Sequence, residues 1–227
     1  MPLRAIIFDF DGVIANSEPL HLRAFQQVLA DEGLALAEHD YYARYLGHDD
    51  VGVFRAIGAE RGTVWTAGHI GALVGRKAAR LETLEADVSI LFPGAADAIR
   101  RAAAEVPIGI ASGALGPEIR RVLDREGLTR YFTVIVSAED TSVGKPAPEP
   151  YLHAVAQLAA ARHEPLPPSD CVAVEDSVWG LESARIAGLV TVGVAQTYEA
   201  SELAGADLVI PSLDELALDS LRHLYGD

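Results

Sequence analysis

Ile6-Ile7-Phe8-Asp9-Phe10-Asp11-Gly12-Val13-Ile14 is the stretch that decides the fold, because an apolar run ends there in two aspartates with a glycine directly behind them. Residues i and i+2 of a strand point to the same face, so the sequence predicts that Asp9 and Asp11 project side by side where a buried strand ends. Two carboxylates at such a short distance repel each other, and burying them unpaired costs several kcal/mol. A hard divalent cation is the simplest group to hold them together, and Gly12 lets the backbone turn sharply. A solvated surface turn is the alternative that this segment alone leaves open.

The composition of the chain limits its class and its partners. Half of the 227 residues are apolar, enough for a sizeable core, and 18 Lys+Arg against 33 Asp+Glu give a formal net charge of −15. Such acidity argues against a nucleic acid or an anionic membrane as partner, because both are bound through basic surface. The single cysteine, Cys171, excludes an intrachain disulfide and is predicted to be a buried core thiol.

Targeting and membrane signals are not visible in the sequence. Asp9 and Asp11 interrupt the N-terminal apolar stretch before a secretory signal could form. No run approaches the roughly 20 apolar residues that span a membrane. We therefore expect a soluble cytoplasmic protein, monomeric or a weak homodimer.

Short apolar runs typical of buried strands recur along the chain. They cover residues 5–8, 108–111, 134–136, 171–174, 191–194 and 208–210. Helical periodicity separates the later runs, over residues 116–126, 148–161 and 177–187. Continuous apolar strands that alternate with helices predict a doubly wound α/β domain with a parallel sheet.

This alternation fails between the first and second strands. From about residue 16 to about residue 91 the pattern is helical only, over residues 19–32, 38–44, 50–61 and 68–84. We therefore expect an all-helical domain of residues 16–90, inserted into an α/β core of residues 1–15 and 91–227. The ligand site of such an open sheet lies beyond the carboxyl ends of its strands.

Two further strand ends carry residues that suit an anion. Ser112-Gly113-Ala114 follows the second strand and could offer a hydroxyl and backbone N–H groups to a phosphate, although Ser-Gly is also a common turn. Lys145 follows the third strand, where Gly144 and Pro146 restrain the backbone that aims its charge. A solvated loop lysine is the alternative. The segment is not a P-loop, because no Ser or Thr follows the lysine.

The fourth strand ends in two adjacent acids. Glu175 and Asp176 could supply further oxygen ligands to the cation. Ser177 is placed to cap a helix over residues 178–187. The alternative is that Asp176 or Ser177 serves only as the N-cap of that helix.

The order of these motifs is more specific than any one of them. Asp-x-Asp-Gly, Ser, Lys-Pro and Glu-Asp follow one another, each at the carboxyl end of a predicted parallel strand. In this combination the whole chain resembles the haloacid dehalogenase (HAD) superfamily, in particular the subgroup with a helical cap after the first motif, which includes β-phosphoglucomutase-like phosphatases. The resemblance implies a Rossmann-like core, a helical cap that sets specificity, and phosphoryl-transfer chemistry that depends on Mg²⁺.

The resemblance also implies roles for the matching residues. Asp9 is the expected nucleophile, which carries an aspartyl-phosphate intermediate. Asp11 is the expected general acid and later the base that activates water, and its presence favours a phosphate ester over a carbon–halogen bond or a phosphonate. Mg²⁺ is expected at the Asp9 carboxylate, the Asp11 backbone carbonyl and the Glu175 and Asp176 pair, with Asp176 preferred as direct ligand. The groups expected to hold phosphoryl oxygens are those of Ser112, Gly113, Ala114 and Lys145.

The insert contributes a second set of expected substrate contacts. These are Asn16, Glu18 and His21 at its beginning, and Gly47 and His48 in the loop of residues 46–50. β-Phosphoglucomutases resemble this loop but carry an arginine for a second phosphate where Asp50 falls, so an acid there argues against mutase activity. Helix-surface cations could substitute for that arginine. The candidates are Arg44, Arg55, Arg76 and Lys77.

Three functional hypotheses follow. The first is a Mg²⁺-dependent phosphatase that acts on a small phosphorylated metabolite, a sugar or sugar-acid phosphate. The second is a β-phosphoglucomutase-like phosphomutase, which returns the phosphoryl group to the substrate and not to water. The third is a non-catalytic protein that binds a phosphorylated metabolite, and the intact motif set disfavours it.

Overall fold

The computed structural model of the protein describes residues 3–45, 48–86 and 88–226. The chain divides into two compact units, one of Met1–Asn16 and Ile90–Asp227 and one of Ser17–Ser89. Across the described residues, no helix is both long enough and apolar enough to cross a membrane.

The first unit is built on a parallel sheet, which has six strands within the described ranges. The strands are β1 (Ala5–Phe8), β2 (Ile108–Ala111), β3 (Phe132–Val136), β4 (Cys171–Glu175), β5 (Val190–Val194) and β6 (Leu208–Ile210). They lie in the order β3-β2-β1-β4-β5-β6, and every neighbouring pair is parallel. The predicted doubly wound parallel sheet is confirmed.

The apolar composition of β1 agrees with its central position in the sheet. All four of its residues are fully buried, and Ile7 pairs with Gly109 on one side and with Ala173 on the other. A strand covered on both faces reads as a continuous apolar run. The chain passes outward through β2 and β3 on one side of β1 and through β4 to β6 on the other, so the topological switch point lies beside β1.

Helices of the second unit are described next, and together they confirm an all-helical insert. They are α1 (Glu18–Asp31), α2 (Glu38–Arg44), α3 (Asp50–Glu60) and α4 (Ala67–Glu85). Their apolar faces form a common core in which the rings of Phe25 and Phe54 meet edge to face at 5.1 Å between centroids. Side-chain caps begin α3 and α4, where Asp49 and Thr66 accept backbone N–H groups.

The first unit carries the remaining helices. They are α5 (Ala95–Glu105), α6 (Gly116–Arg125), α7 (Glu149–Arg162), α8 (Val178–Ala187) and α9 (Leu218–His223), with single 3₁₀ turns at Thr129–Tyr131, Ala138–Asp140, Pro168–Asp170 and Leu213–Glu215. The sequence patterns do not predict α5, because three of its four buried residues are alanines and give a weak apolar signal. Cys171 is buried and free, as predicted.

Both chain passages that join the first unit to the insert are tied together within the first unit. Asn16 donates its backbone N–H to Ile90 at 2.7 Å, and Phe92 donates to Ile14 at 3.0 Å. Ala15 and Leu91 form an antiparallel bridge between these bonds. The end of the turn that follows β1 is therefore anchored by backbone hydrogen bonds.

Candidate active site

A tight turn follows β1 and carries the two aspartates. The strand ends at Phe8, so Asp9 directly follows it, but strand alternation does not extend over Asp9 and Asp11 and does not put their side chains on one face. Asp9 donates its backbone N–H to the Val174 carbonyl at 2.9 Å, and its Oδ1 accepts the N–H of the next residue at 2.7 Å. Gly12 has a φ of 76°, a left-handed conformation that favours glycine. The sheet thus places the Asp9 carboxylate beside the end of β4.

Two glycines make room for the two acids at the end of β4. A Cβ on Gly12 would lie 1.9 Å from Oδ2 of Asp176, and a Cβ on Gly180 would lie 2.0 Å from Oε2 of Glu175. Ser177 begins α8 by accepting the N–H of Gly180 at 3.1 Å, as its predicted capping role requires. Both carboxylates therefore pack against bare Cα atoms, which holds them in place.

Three carboxylates meet at this edge of the sheet. Asp9, Glu175 and Asp176 each offer an oxygen, and these oxygens lie within 4.8 Å of one another. The Asp11 carboxylate does not belong to this group. Lys145 reaches the cluster from the loop after β3, with its Nζ 3.0 Å from Asp9 Oδ2 and 2.5 Å from Glu175 Oε1. One lysine thus faces three acids in a largely buried site.

This arrangement perturbs the ionisation of the cluster. Burial, reinforced by the Glu175 and Asp9 charges, raises the pKa of Asp176 to about 8. Burial also raises the pKa of Glu175, although the contact with Lys145 opposes the shift. Burial disfavours the charged lysine, but the neighbouring carboxylates outweigh it and hold the pKa of Lys145 above its ordinary value. When all three acids are ionised, they carry more negative charge than the lysine balances.

Hard oxygen donors with excess negative charge are what a divalent cation requires. The side chains of Asp9, Glu175 and Asp176 could hold such an ion, and a magnesium ion would suit this donor set. The cluster combines residues from the ends of β1 and β4, which lie more than 160 positions apart in the chain. The acidic cluster is therefore a candidate cation site.

Tyr151 contacts the cluster through its hydroxyl and its ring, and it was not among the predicted site residues. Its hydroxyl donates to Glu175 Oε1 at 2.6 Å, and its ring lies 5.2 Å beneath the Lys145 ammonium. Tyr151 is fully buried, with Ala154 and Leu158 on the same face of α7. That spacing was a usable signal, because a tyrosine in a buried helix stripe needs a hydrogen-bond partner.

Ser112 lies at the end of β2, which is the neighbour of β1 on the other side. It is buried, its backbone N–H donates to Val136 at 3.0 Å, and its Oγ accepts the N–H of Ala114 at 3.1 Å. A Cβ on Gly113 would meet nothing within 4 Å, so there is open space beside this one residue. Its predicted phosphoryl contacts remain a prediction.

The second unit contains a buried lysine. Lys77 is 1% exposed, and its Nζ lies 2.9 Å from Asp50 Oδ1, 2.9 Å from His21 Nδ1 and 5.0 Å from the centre of the Phe25 ring. The treatment of Lys77 as a helix-surface charge is wrong, because the interior face of α4 carries it. Asp50 and His21 compensate its burial.

The other residues expected to contact substrate belong to both units. Tyr41 donates its hydroxyl to Glu18 Oε2 at 2.7 Å, and burial raises the pKa of Glu18. Asn16 belongs to the first unit and is exposed, as is His48 in the second. Gly47 lies outside the described residues. The roles of these residues stay predictions.

The three arginines that were candidates for binding a second phosphate differ from Lys77 in their surroundings. Arg76 forms ion pairs of 2.7 Å and 2.6 Å with Asp31 and Glu32. Arg44 pairs with Glu60. The other candidate, Arg55, is exposed.

The fold and the site together define a class of α/β hydrolytic enzymes. Its marks are a doubly wound sheet whose first strand leads into an acidic cluster, a helical insert after that strand, and a lysine from the loop after the third strand. The model of the family described as haloacid dehalogenase-like hydrolase matches residues 3–188. The chain belongs to this hydrolase family, as the motif order predicts.

Similar proteins agree with this placement over nearly the whole chain. Protein CbbY of Rhodobacter capsulatus is 30% identical and covers 99% of this chain and 100% of its own length. Hexitol phosphatase B of Escherichia coli (strain K12) is 29% identical, with 96% of each chain covered. A crystal structure of a CbbY mutant from Rhodobacter sphaeroides in complex with xylulose-(1,5)bisphosphate is 28% identical, with a TM-score of 0.82 and coverage of 95% of this chain and 96% of that one.

Proposed function

We propose that the protein is a Mg²⁺-dependent phosphatase that hydrolyses a small phosphorylated metabolite, a sugar or sugar-acid phosphate, through an aspartyl-phosphate intermediate. The observation that carries the proposal is the cluster of Asp9, Glu175 and Asp176 with Lys145 at 3.0 Å from Asp9. It combines a nucleophile, a cation site and a fixed positive charge at one edge of the sheet. The phosphatase and the sugar bisphosphate complex among the similar proteins support the substrate class.

The first step forms the covalent intermediate. A carboxylate oxygen of Asp9 attacks phosphorus while the bond from phosphorus to the alcohol oxygen breaks. Asp11, as a carboxylic acid, gives its proton to the departing alkoxide, and the free alcohol leaves. Lys145 holds phosphoryl oxygens and offsets their charge.

The second step reverses the proton transfer. Asp11, now a carboxylate, takes a proton from water as the water oxygen bonds to phosphorus and the bond to Asp9 breaks. Inorganic phosphate leaves and the Asp9 carboxylate is regenerated. When bound by Asp9, Glu175 and Asp176, Mg²⁺ would supply the positive charge that lets an anionic nucleophile meet an anionic ester.

The second unit supports hydrolysis over transfer within a bisphosphate. Asp50 lies 2.9 Å from the buried Lys77 and neutralises it. An acid and a compensated lysine are poorly suited to retain a second phosphate, which a mutase must hold while the first is transferred. Mutase activity is therefore the competing outcome of the test.

The test measures phosphate release from p-nitrophenyl phosphate and from a panel of phosphorylated sugars and sugar acids. We expect turnover that needs Mg²⁺ and is abolished in Asp9→Asn. Asp97→Asn is the matched control, because that exposed aspartate pairs with Arg100 on the surface of α5. Equal turnover of Asp9→Asn and wild type would contradict the proposal.

Two further outcomes identify the alternatives. With β-glucose 1-phosphate and a bisphosphate primer, formation of glucose 6-phosphate without net phosphate release would show a mutase. Absence of turnover on every substrate, together with failure to form a beryllofluoride complex, would revive the third hypothesis, a non-catalytic protein that binds a phosphorylated metabolite.

A further inference from the structure

Gln196 lies two residues beyond the end of β5, and its side chain links that segment to the turn after β1 and to Leu213. Its Nε2 donates to the backbone carbonyls of Gly12 and Val13 at 3.2 Å and 3.1 Å. Its Oε1 faces the backbone N–H of Leu213 at 3.5 Å. Two carbonyl acceptors on one side and a donor on the other leave one orientation for the amide, because only its NH₂ group can donate. Gln196 was not among the predicted site residues.

The turn that receives Gln196 also has backbone hydrogen bonds of its own. The carbonyl of Phe10 accepts the N–H groups of both Ile14 and Ala15 at 2.9 Å, and Gly12 donates to Ala15 at 2.9 Å. Gly12 and Val13 are buried, so their carbonyls need a partner inside the protein. Gln196 supplies it to both. A buried carbonyl left without a donor is unfavourable, so we expect the turn to move when the amide is removed.

The turn also contacts the acidic cluster. The Cα of Gly12 packs directly against the Asp176 carboxylate, where a Cβ would overlap Oδ2. Gly12 therefore contacts both the Asp176 carboxylate and the Gln196 amide. Asp11 is the residue immediately before it and forms a bridge with Ala15 across the same turn.

We infer that Gln196 is a positioning residue for the acid–base group: by binding the Gly12 and Val13 carbonyls, it fixes the turn from which the Asp11 carboxyl reaches the leaving oxygen. The inference rests on the proposed function, because it concerns the proton that Asp11 delivers. Gln196 itself exchanges no proton, and within the described ranges its side chain hydrogen-bonds to backbone groups.

The test compares two substrates whose leaving groups differ in whether they must be protonated. p-Nitrophenolate departs readily as an anion, whereas a sugar alkoxide must be protonated as its bond to phosphorus breaks. The ratio of kcat/KM for the best sugar phosphate of the panel to kcat/KM for p-nitrophenyl phosphate therefore reports the acid function. The ratio does not depend on the fraction of folded enzyme, so a partly unstable variant still gives an answer.

We expect Gln196→Met, which keeps the length of the side chain and removes both donors, to lower this ratio about tenfold, because general acids contribute about 10²–10⁴-fold and a displaced acid loses part of that. Gln196→Glu should lower it at least as far, since a carboxylate faces two carbonyl oxygens. Gln157→Met is the matched control, because that glutamine contacts only His153 on α7 among the hydrogen bonds of the described residues. It should leave the ratio unchanged.

Asp11→Asn separates failure of the inference from failure of the proposed function. If Asp11→Asn lowers the ratio and both Gln196 variants leave it unchanged, Gln196 has no positioning role. Loss of both activities to the same extent in the Gln196 variants would also overturn the inference, since it would show a general structural effect. If Asp11→Asn leaves the ratio unchanged, Asp11 is not the acid and the proposed mechanism fails first.

Discussion

Without a cation, the first unit should lose stability as the pH rises, and Mg²⁺ should restore it. Burial raises the pKa of Asp176 from 3.8 to about 8. The folded protein therefore keeps a proton that the unfolded chain has already released. A group with a raised folded pKa contributes stability that is complete below its unfolded pKa and is lost as the pH rises through its folded pKa.

The magnitude follows from this difference. Each pH unit over which the folded state holds one extra proton changes the free energy of unfolding by about 1.4 kcal/mol. Between about pH 5 and about pH 8 the loss for Asp176 is therefore about 3–4 kcal/mol. At about 2–4 °C per kcal/mol for a chain of this size, Tm should fall by about 10 °C. The raised pKa of Glu175 acts in the same direction.

Thermal unfolding across this pH range, in EDTA and in excess Mg²⁺, checks the prediction. Mg²⁺ binds the ionised carboxylates, so its protection should grow with pH. Asp176→Asn is the informative variant: without the cation it should be more stable than wild type at about pH 8, and it should gain less from Mg²⁺. A metal-free Tm that stays constant or rises from about pH 5 to about pH 8 would refute this reasoning.

Two further predictions concern packing around charged groups. Gly180→Ala would place a Cβ 2.0 Å from Glu175 Oε2 and should lower phosphatase turnover more than tenfold. Gly205→Ala is the control, because its Cβ meets nothing within 4 Å, and it should not lower turnover in this way. Equal turnover of the two variants would contradict the packing argument. Asp50→Ala leaves the buried Lys77 without its acid and should cost about 3 kcal/mol in urea unfolding. Lys77→Met should cost less, because Asp50 keeps 30% of its side chain exposed to water, and the reverse order would contradict this account.

Sequence patterns predicted the fold because its elements have strong local signals. The run Ala5–Phe8 is apolar throughout, which is typical of a strand buried on both faces, and the 3.6-residue pattern predicted α2 at its observed bounds. The helix α5 was not predicted, because alanines form most of its buried face. Local signals of this kind do not depend on which elements become neighbours.

Contacts made by side chains at long range could not be predicted. Lys77 has the sequence context of an exposed helix residue, and only the packing of α4 reveals that it is buried. The partners of Gln196 lie 183 and 184 positions away, so no local pattern points to them. Tyr151 carried a signal, namely a hydroxyl on a buried helix stripe, but its acceptor Glu175 lies on another strand.

The amino-acid sequence by itself determined which residues stand at the ends of the strands, since period and composition are local properties, and with them the family and the class of chemistry. The tertiary structure decided how those ends combine. Because the sheet places β4 beside β1, Asp9 joins Glu175 and Asp176, and the Asp11 carboxylate lies outside their cluster. The carbonyl of Gly12 accepts a hydrogen bond from an amide beyond β5, a contact that exists only once the sheet has formed.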